Sequence, residues 1–286
     1  MLKPFLWNGH LEVLVPLTAL LAAYYWAVRV WGPKHTSPGD PAITNSQKRY
    51  FVAGVIVVWL AASSPLHELS EDYLFSAHML QHFMLSLIAA PLLLMGLPGW
   101  MVRQLLKPPA VMAVMRRITR PIPALFAFNG FLLFSHWPGF VNASARSEPF
   151  HLTAHVVLMS LSLLMWWPVL SPMPELPRAG NFAQFLYILA QTIAPAIPFA
   201  FLIFAERPLY SFYASAPRVV GWLDPVTDQR VAGLVMKMGG SALLWAVAAV
   251  LFFRWYSSEQ AGTPATVEWQ NLERELNAAP SSKEQV

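Results

Sequence analysis

Long apolar runs alternate with short polar stretches and Pro/Gly punctuation along this chain. They predict helices over Leu11–Trp31, Tyr50–Ser63, Leu74–Leu97, Ile122–Phe140, Phe150–Leu170, Phe182–Ala205 and Arg230–Phe253. Several runs reach the roughly 20 residues needed to cross a hydrocarbon core of about 30 Å. Pro91, Pro195 and Pro198 fall inside two of them, which membrane helices tolerate because neighbouring groups satisfy the freed carbonyls. The expected architecture is all-α: a polytopic membrane helix bundle of about seven transmembrane helices, with the lipid bilayer as its first partner. Residues 1–254 would form that domain, and residues 255–286 a polar cytoplasmic tail, largely disordered, with one short surface helix over Val267–Asn277.

Composition agrees. The chain is 56% hydrophobic and 12% charged, about half the charged fraction usual in soluble domains, roughly 25%. Met1–His10 shows no small-residue cleavage site before the first run, so the first helix is expected to stay in the mature protein.

Charge then orients the bundle. Alternate connections hold Arg29, Lys34, Lys48, Arg49, then Arg103, Lys107, Arg116, Arg117, Arg120, then Arg178, with Arg254 after the last helix, 11 basic residues in all. The other side has 5, Lys3, Arg146, Arg207, Arg218 and Arg230, and a connection carrying Glu68, Glu71 and Asp72. By the positive-inside rule the amino terminus is expected outside and the carboxyl terminus inside. The net charge of +4 is then mostly cytoplasmic-face Lys and Arg, and no nucleic-acid partner is needed to explain it.

Projected onto this topology, seven of the eight histidines gather at or near the outer end, and only His35 lies inside. His78 and His82 occupy the first two turns of the third helix. Their spacing of four puts both imidazoles on one face, about 5–6 Å apart at Cβ. His151 and His155 repeat the spacing at the start of the fifth helix, and His136 ends the fourth. Met79 adjoins His78. In the seventh helix Asp228 and Met236 lie on one face, roughly 12 Å apart along the axis, and are expected to share the same cavity. Polar groups at membrane depth are costly and mark function by default.

Duller readings stand beside this one. A single membrane His more often bonds a neighbouring helix than a metal, and most methionines pack. His10, His35 and His67 read as surface or interfacial groups, and Asp228 doubles as a helix cap. Two HxxxH pairs at one depth nevertheless favour ligation. Imidazole and thioether, in a chain with no cysteine, suit copper best and zinc next. The metal set expected is His78, His82, His151, His155 and His136, with Met79, Asp228 and Met236. No HExxH, Walker loop or GxGxxG occurs, so ordinary hydrolases, NTPases and dinucleotide enzymes have no support, and no catalytic role is expected.

Longer motifs carry a resemblance: Ser64-Pro-Leu-His67, Phe75-Ser-Ala-His78-Met-Leu-Gln-His82 and Ala90-Pro-Leu-Leu-Leu-Met-Gly-Leu-Pro98. His136-Trp-Pro138, His151 with His155, Trp166-Trp-Pro168, Leu209-Tyr210, and Asp228-Gln229 with Gly233 and Met236 continue it. Together they resemble the Bacillus-type CtaG family, assembly factors for caa-type cytochrome c oxidase, over nearly the whole membrane part. The single-span copper chaperones of the same name have a cysteine pair that is absent here. The resemblance implies a multi-pass protein of the bacterial cytoplasmic membrane that helps mature a haem-copper oxidase, with oxidase subunits and copper ion as partners. Two alternatives remain open: a seven-helix zinc hydrolase using His, Asp and Ser, and a haem b protein with axial histidines from the third and fifth helices.

Overall fold

The structure is a computed structural model that describes residues 10–37, 41–63, 65–219 and 221–262. Helices account for its regular elements, and no strand occurs among the described residues. Five helices are long and apolar enough to span a bilayer: α1 (Leu11–Lys34), α3 (Phe75–Gly96), α5 (Glu148–Leu170), α6 (Asn181–Phe204) and α7 (Pro225–Gln260). Two shorter helices, α2 (Asn45–Ala61) and α4 (Pro121–Ser135), reach spanning length only together with a bent neighbour. The bend is 52° towards Leu66–Tyr73 for α2 and 84° from Pro109–Ile118 for α4. The count is therefore five, or up to seven if each bent pair is one span. The chain is an all-α, multi-pass membrane protein.

The expected helix bounds shift where local chemistry overrides hydropathy. α2 begins five residues before Tyr50 because Thr44 and Gln47 form a capping box: the Thr44 hydroxyl accepts from Gln47 N at 3.1 Å, and Gln47 Oε1 accepts from Thr44 N at 2.9 Å. The fourth helix does not continue to Phe140. Pro138 forces Trp137 into an extended conformation (φ −63°, ψ 133°), so α4 stops at Ser135 and a separate helix, Pro138–Ala145, follows. α6 breaks at Pro195. α7 runs to Gly262, past residue 254 where the tail was expected to begin. The expected surface helix Val267–Asn277 lies outside the described residues.

Burial separates the centre of the bundle from its rim. In the apolar window of α3, 56% of residues are buried, against 11% in α1. Phe126, Ile193, Phe201 and Phe204 are exposed, as lipid-facing side chains must be. α1 attaches through Tyr24, which stacks on Phe51 at 3.7 Å between ring centres and donates its hydroxyl to Gly96 O at 2.8 Å. The close approach of α2 and α3 at this point requires glycine, because a Cβ on Gly96 would sit 2.6 Å from Phe51 N.

Three π segments occur among the described residues: Leu69–Tyr73 beyond α2, Met84–Ala89 in α3 and Val235–Gly239 in α7. A π turn shifts the register of everything after it. In α3 it begins just beyond His82, so the histidine-bearing turns have a register different from the remainder of the helix. Side chains bond carbonyls around the wide turn: Ser86 Oγ donates to His82 O at 2.6 Å, and Trp166 Nε1 of α5 donates to Ser86 O at 3.0 Å. Lys237, in the π segment of α7, donates to Thr192 O at 3.2 Å beside the α6 break, giving an ionisable group at membrane depth a backbone partner.

Candidate metal centre

The starts of α1, α3, α5 and α7 and the ends of α2, α4 and α6 share one end of the bundle. Contacts between them confirm this: His10 meets Glu68, Phe75 meets Asp228, and His82 meets His155. His35 lies at the opposite end, stacked on Trp100.

α3 is positioned by a cap from another helix. Its own N-cap residue, Leu74, offers no side-chain acceptor. Asp228 of α7 fills that role: Oδ2 accepts from Phe75 N at 2.7 Å, and Oδ1 accepts from Ser76 N at 3.1 Å and Ser76 Oγ at 2.5 Å. A carboxylate at a helix N-terminus satisfies orphan donors and opposes the dipole. It also fixes the turn that carries His78. α7 has its own cap, Asp224, which accepts from Val226 N and Thr227 N. Replacing Asp228 with Ala should cost about 1–3 kcal/mol, the cost of leaving buried donors unsatisfied. The check is thermal denaturation in detergent, in which Asp228→Ala melts earlier than the wild type.

Downstream of this cap the imidazoles converge. Ligand atoms of His78, His82 and His155 all lie within 4.8 Å of one another. His155 Nε2 lies 3.1 Å from His82 Nε2 and 3.0 Å from His151 Nε2. The His78 ring is 4.2 Å from that of His82 and 5.3 Å from that of His151, and His78 Nδ1 is buried with no hydrogen-bond partner. Metal–nitrogen bonds of about 2.0 Å place neighbouring donors about 3.3–3.5 Å apart, so only small side-chain shifts separate this arrangement from a ligand set. The adjoining cavity, lined by Phe131, Ser135, Phe140 and Val141 among others, holds about 20 Å³. That accommodates an ion or a water. A porphyrin needs far more, since pockets for small organic ligands run to about 300–1,000 Å³.

A softer pair adjoins the cluster. His136 Nδ1–H donates to Leu132 O at 2.6 Å, which leaves Nε2 as an acceptor facing Met79 Sδ at 3.3 Å. Two lone pairs facing each other have no proton to share, an arrangement that favours a soft cation. Tyr210 holds this corner by donating its hydroxyl to His136 O at 3.0 Å, and it packs on Phe75. Gln229 links the same loop to α7 by accepting from Leu209 N at 2.7 Å.

Two of the expected donors lie elsewhere. Asp228 and Met236 do not share a cavity with the histidines. Both carboxylate oxygens of Asp228 are engaged by the α3 terminus. Met236 lines a different space of about 30 Å³, with Ser86, Phe128, Gln191 and Lys237. Helical periodicity put the pair on one face, but eight residues of helix separate them by about 12 Å along the axis, which leaves Met236 at the level of Ser86 and Lys237 rather than of the histidines.

The structure adds residues that sequence reasoning left aside. Glu71 Oε1 lies 3.5 Å from His151 Nδ1 and 3.7 Å from His67 Nδ1. The spacing of four between His67 and Glu71 was the available signal. His10 bonds Glu12 at 2.7 Å and Glu68 at 3.0 Å. Burial lowers the affinity of His10 for a proton, but the bonds to Glu12 and Glu68 outweigh it and hold its pKa above the usual imidazole value. Glu12, Glu68 and Glu71 thus gather carboxylates among histidines at this rim of the bundle.

Fold and site together define a class: a polytopic helical membrane protein with a buried cluster of convergent histidines at one end of its bundle. The sequence model of the family described as cytochrome c oxidase caa3 assembly factor (Caa3_CtaG) matches residues 22–258 of the 286. The chain belongs to that family. No curated protein and no solved structure matches it significantly.

Proposed function

We propose that this cytochrome c oxidase assembly factor binds copper at His78, His82 and His155 and hands it to the oxidase at the outer face of the bacterial cytoplasmic membrane. The observation that carries the reading is the convergence of three imidazoles, His78 buried and His82 and His155 half-buried, within 4.8 Å around an ion-sized space, with the His136–Met79 pair alongside. Neutral nitrogens and a thioether, with no carboxylate among the converging atoms, match Cu(I) better than zinc or magnesium. His151 touches His155 and Glu71 and serves to orient the cluster, as groups behind metal ligands do. The protein acts as a carrier or scaffold and performs no reaction of its own. The test is elemental analysis of protein purified from copper-replete cells, with about one copper per chain expected. Zinc in its place would overturn the reading.

Orientation is part of the proposal, because delivery outside needs the histidine end outside. The 11 to 5 asymmetry of Lys and Arg supports it. Reporter fusions should place the amino terminus outside and the tail after Arg254 in the cytoplasm. An extracellular tail would turn the histidine end inward and remove the geometry of delivery.

A further inference from the structure

The buried histidines communicate with the surface through a ladder of donor atoms. His67 and Glu71 stand at its outer end, with side chains 25% and 29% exposed. Glu71 Oε1 is 3.7 Å from His67 Nδ1 and 3.5 Å from His151 Nδ1. The His151 side chain is 7% exposed, and its other nitrogen lies 3.0 Å from His155 Nε2, which in turn lies 3.1 Å from His82 Nε2. Every step is shorter than about 4 Å, the span that two donors can bridge through one ion at bond lengths of about 2.0 Å. The outer donors His67 and Glu71 are half-buried and His151 is buried, and both nitrogens of His151 are used, one facing each way.

We propose that this ladder is the route by which a soft cation, chemically a Cu(I) ion, enters the triad, with the Glu71 carboxylate as the transfer ligand between His67 and His151. The inference rests on the triad being the copper site. A carboxylate at the mouth concentrates cations from solution. The π segment Leu69–Tyr73 that carries Glu71 places its carboxylate between the half-buried His67 imidazole and the buried His151 imidazole. Each move is ligand exchange: a bond to the next donor forms as the bond to the previous one breaks, and the oxidation state of the metal stays constant. Glu71 holds the ion loosely because oxygen is a hard donor for a soft metal, and the imidazoles beyond draw it inward.

The experiment mixes full-length protein in detergent micelles with copper(I) supplied as its bis-bicinchoninate complex and follows loss of the complex's colour in stopped flow. Glu71→Gln should load about tenfold more slowly, as expected on losing a focusing charge and a transfer ligand, yet reach the wild-type copper content. Glu12→Gln loses the same charge at a side chain that is 65% exposed and off the ladder, and it should load near the wild-type rate. If Glu71→Gln does not fold, His67→Asn gives the same reading. Wild-type rates in Glu71→Gln, or equal slowing in Glu12→Gln, overturn the route while leaving the triad as the site. Failure of the wild-type protein to take up copper overturns the triad itself.

Discussion

Replacing His155 with Ala is expected to abolish copper binding at the proposed site while the protein remains inserted and folded. His155 is the hub of the cluster, with Nε2 within 3.1 Å of nitrogens from both His82 and His151. Loss of a group that only supports a ligand typically costs 10–100-fold in metal affinity, and loss of a ligand costs more. Copper content after purification should therefore fall from about one per chain to near the background of the preparation. The bundle tolerates the change because a hydrogen bond between membrane helices contributes only about 0.6 kcal/mol on average. The core around Phe75, Trp166 and Tyr187 is also untouched. His82→Ala should behave in the same way. Unchanged copper in both variants would mean that the imidazoles serve packing alone.

A strain lacking the protein is expected to lose most of the activity of its copper-containing terminal oxidase. Family membership supplies the direction of this effect, and the histidine cluster supplies a physical reason for it. A carrier that collects copper at low concentration matters most when copper is scarce, so the deficit should be deepest in copper-limited medium and shrink when copper is added. Difference spectra and oxygen uptake measure it. Normal oxidase spectra and respiration in copper-limited deletion cells would remove the role in delivery.

Much of the fold was legible because hydropathy and helix direction carry it. Apolar runs located the helices but not all of their ends: the second begins at Asn45 rather than Tyr50, and the last runs to Gly262 rather than Phe253. Alternating direction alone brings His78, His82, His151 and His155 to one end. Three features were hidden for physical reasons. The cap on α3 comes from Asp228, 153 residues away from Phe75, and no local pattern reveals a cap supplied by another helix. The π segments change register without a proline or any other marker. Glu71 was read as part of an acidic connection, and only packing against α5 brings it to His151. The break at Pro138 is the opposite case: the signal was present, and hydropathy alone ran past it.

X-ray absorption at the copper edge of the purified, copper-loaded protein tests most directly whether the imidazoles hold copper. A first shell dominated by nitrogen at about 2.0 Å is expected, with the outer-shell scattering that marks imidazole, and its loss in His155→Ala. A first shell of oxygen without imidazole scattering, or a spectrum identical in wild type and His155→Ala, would show that they do not.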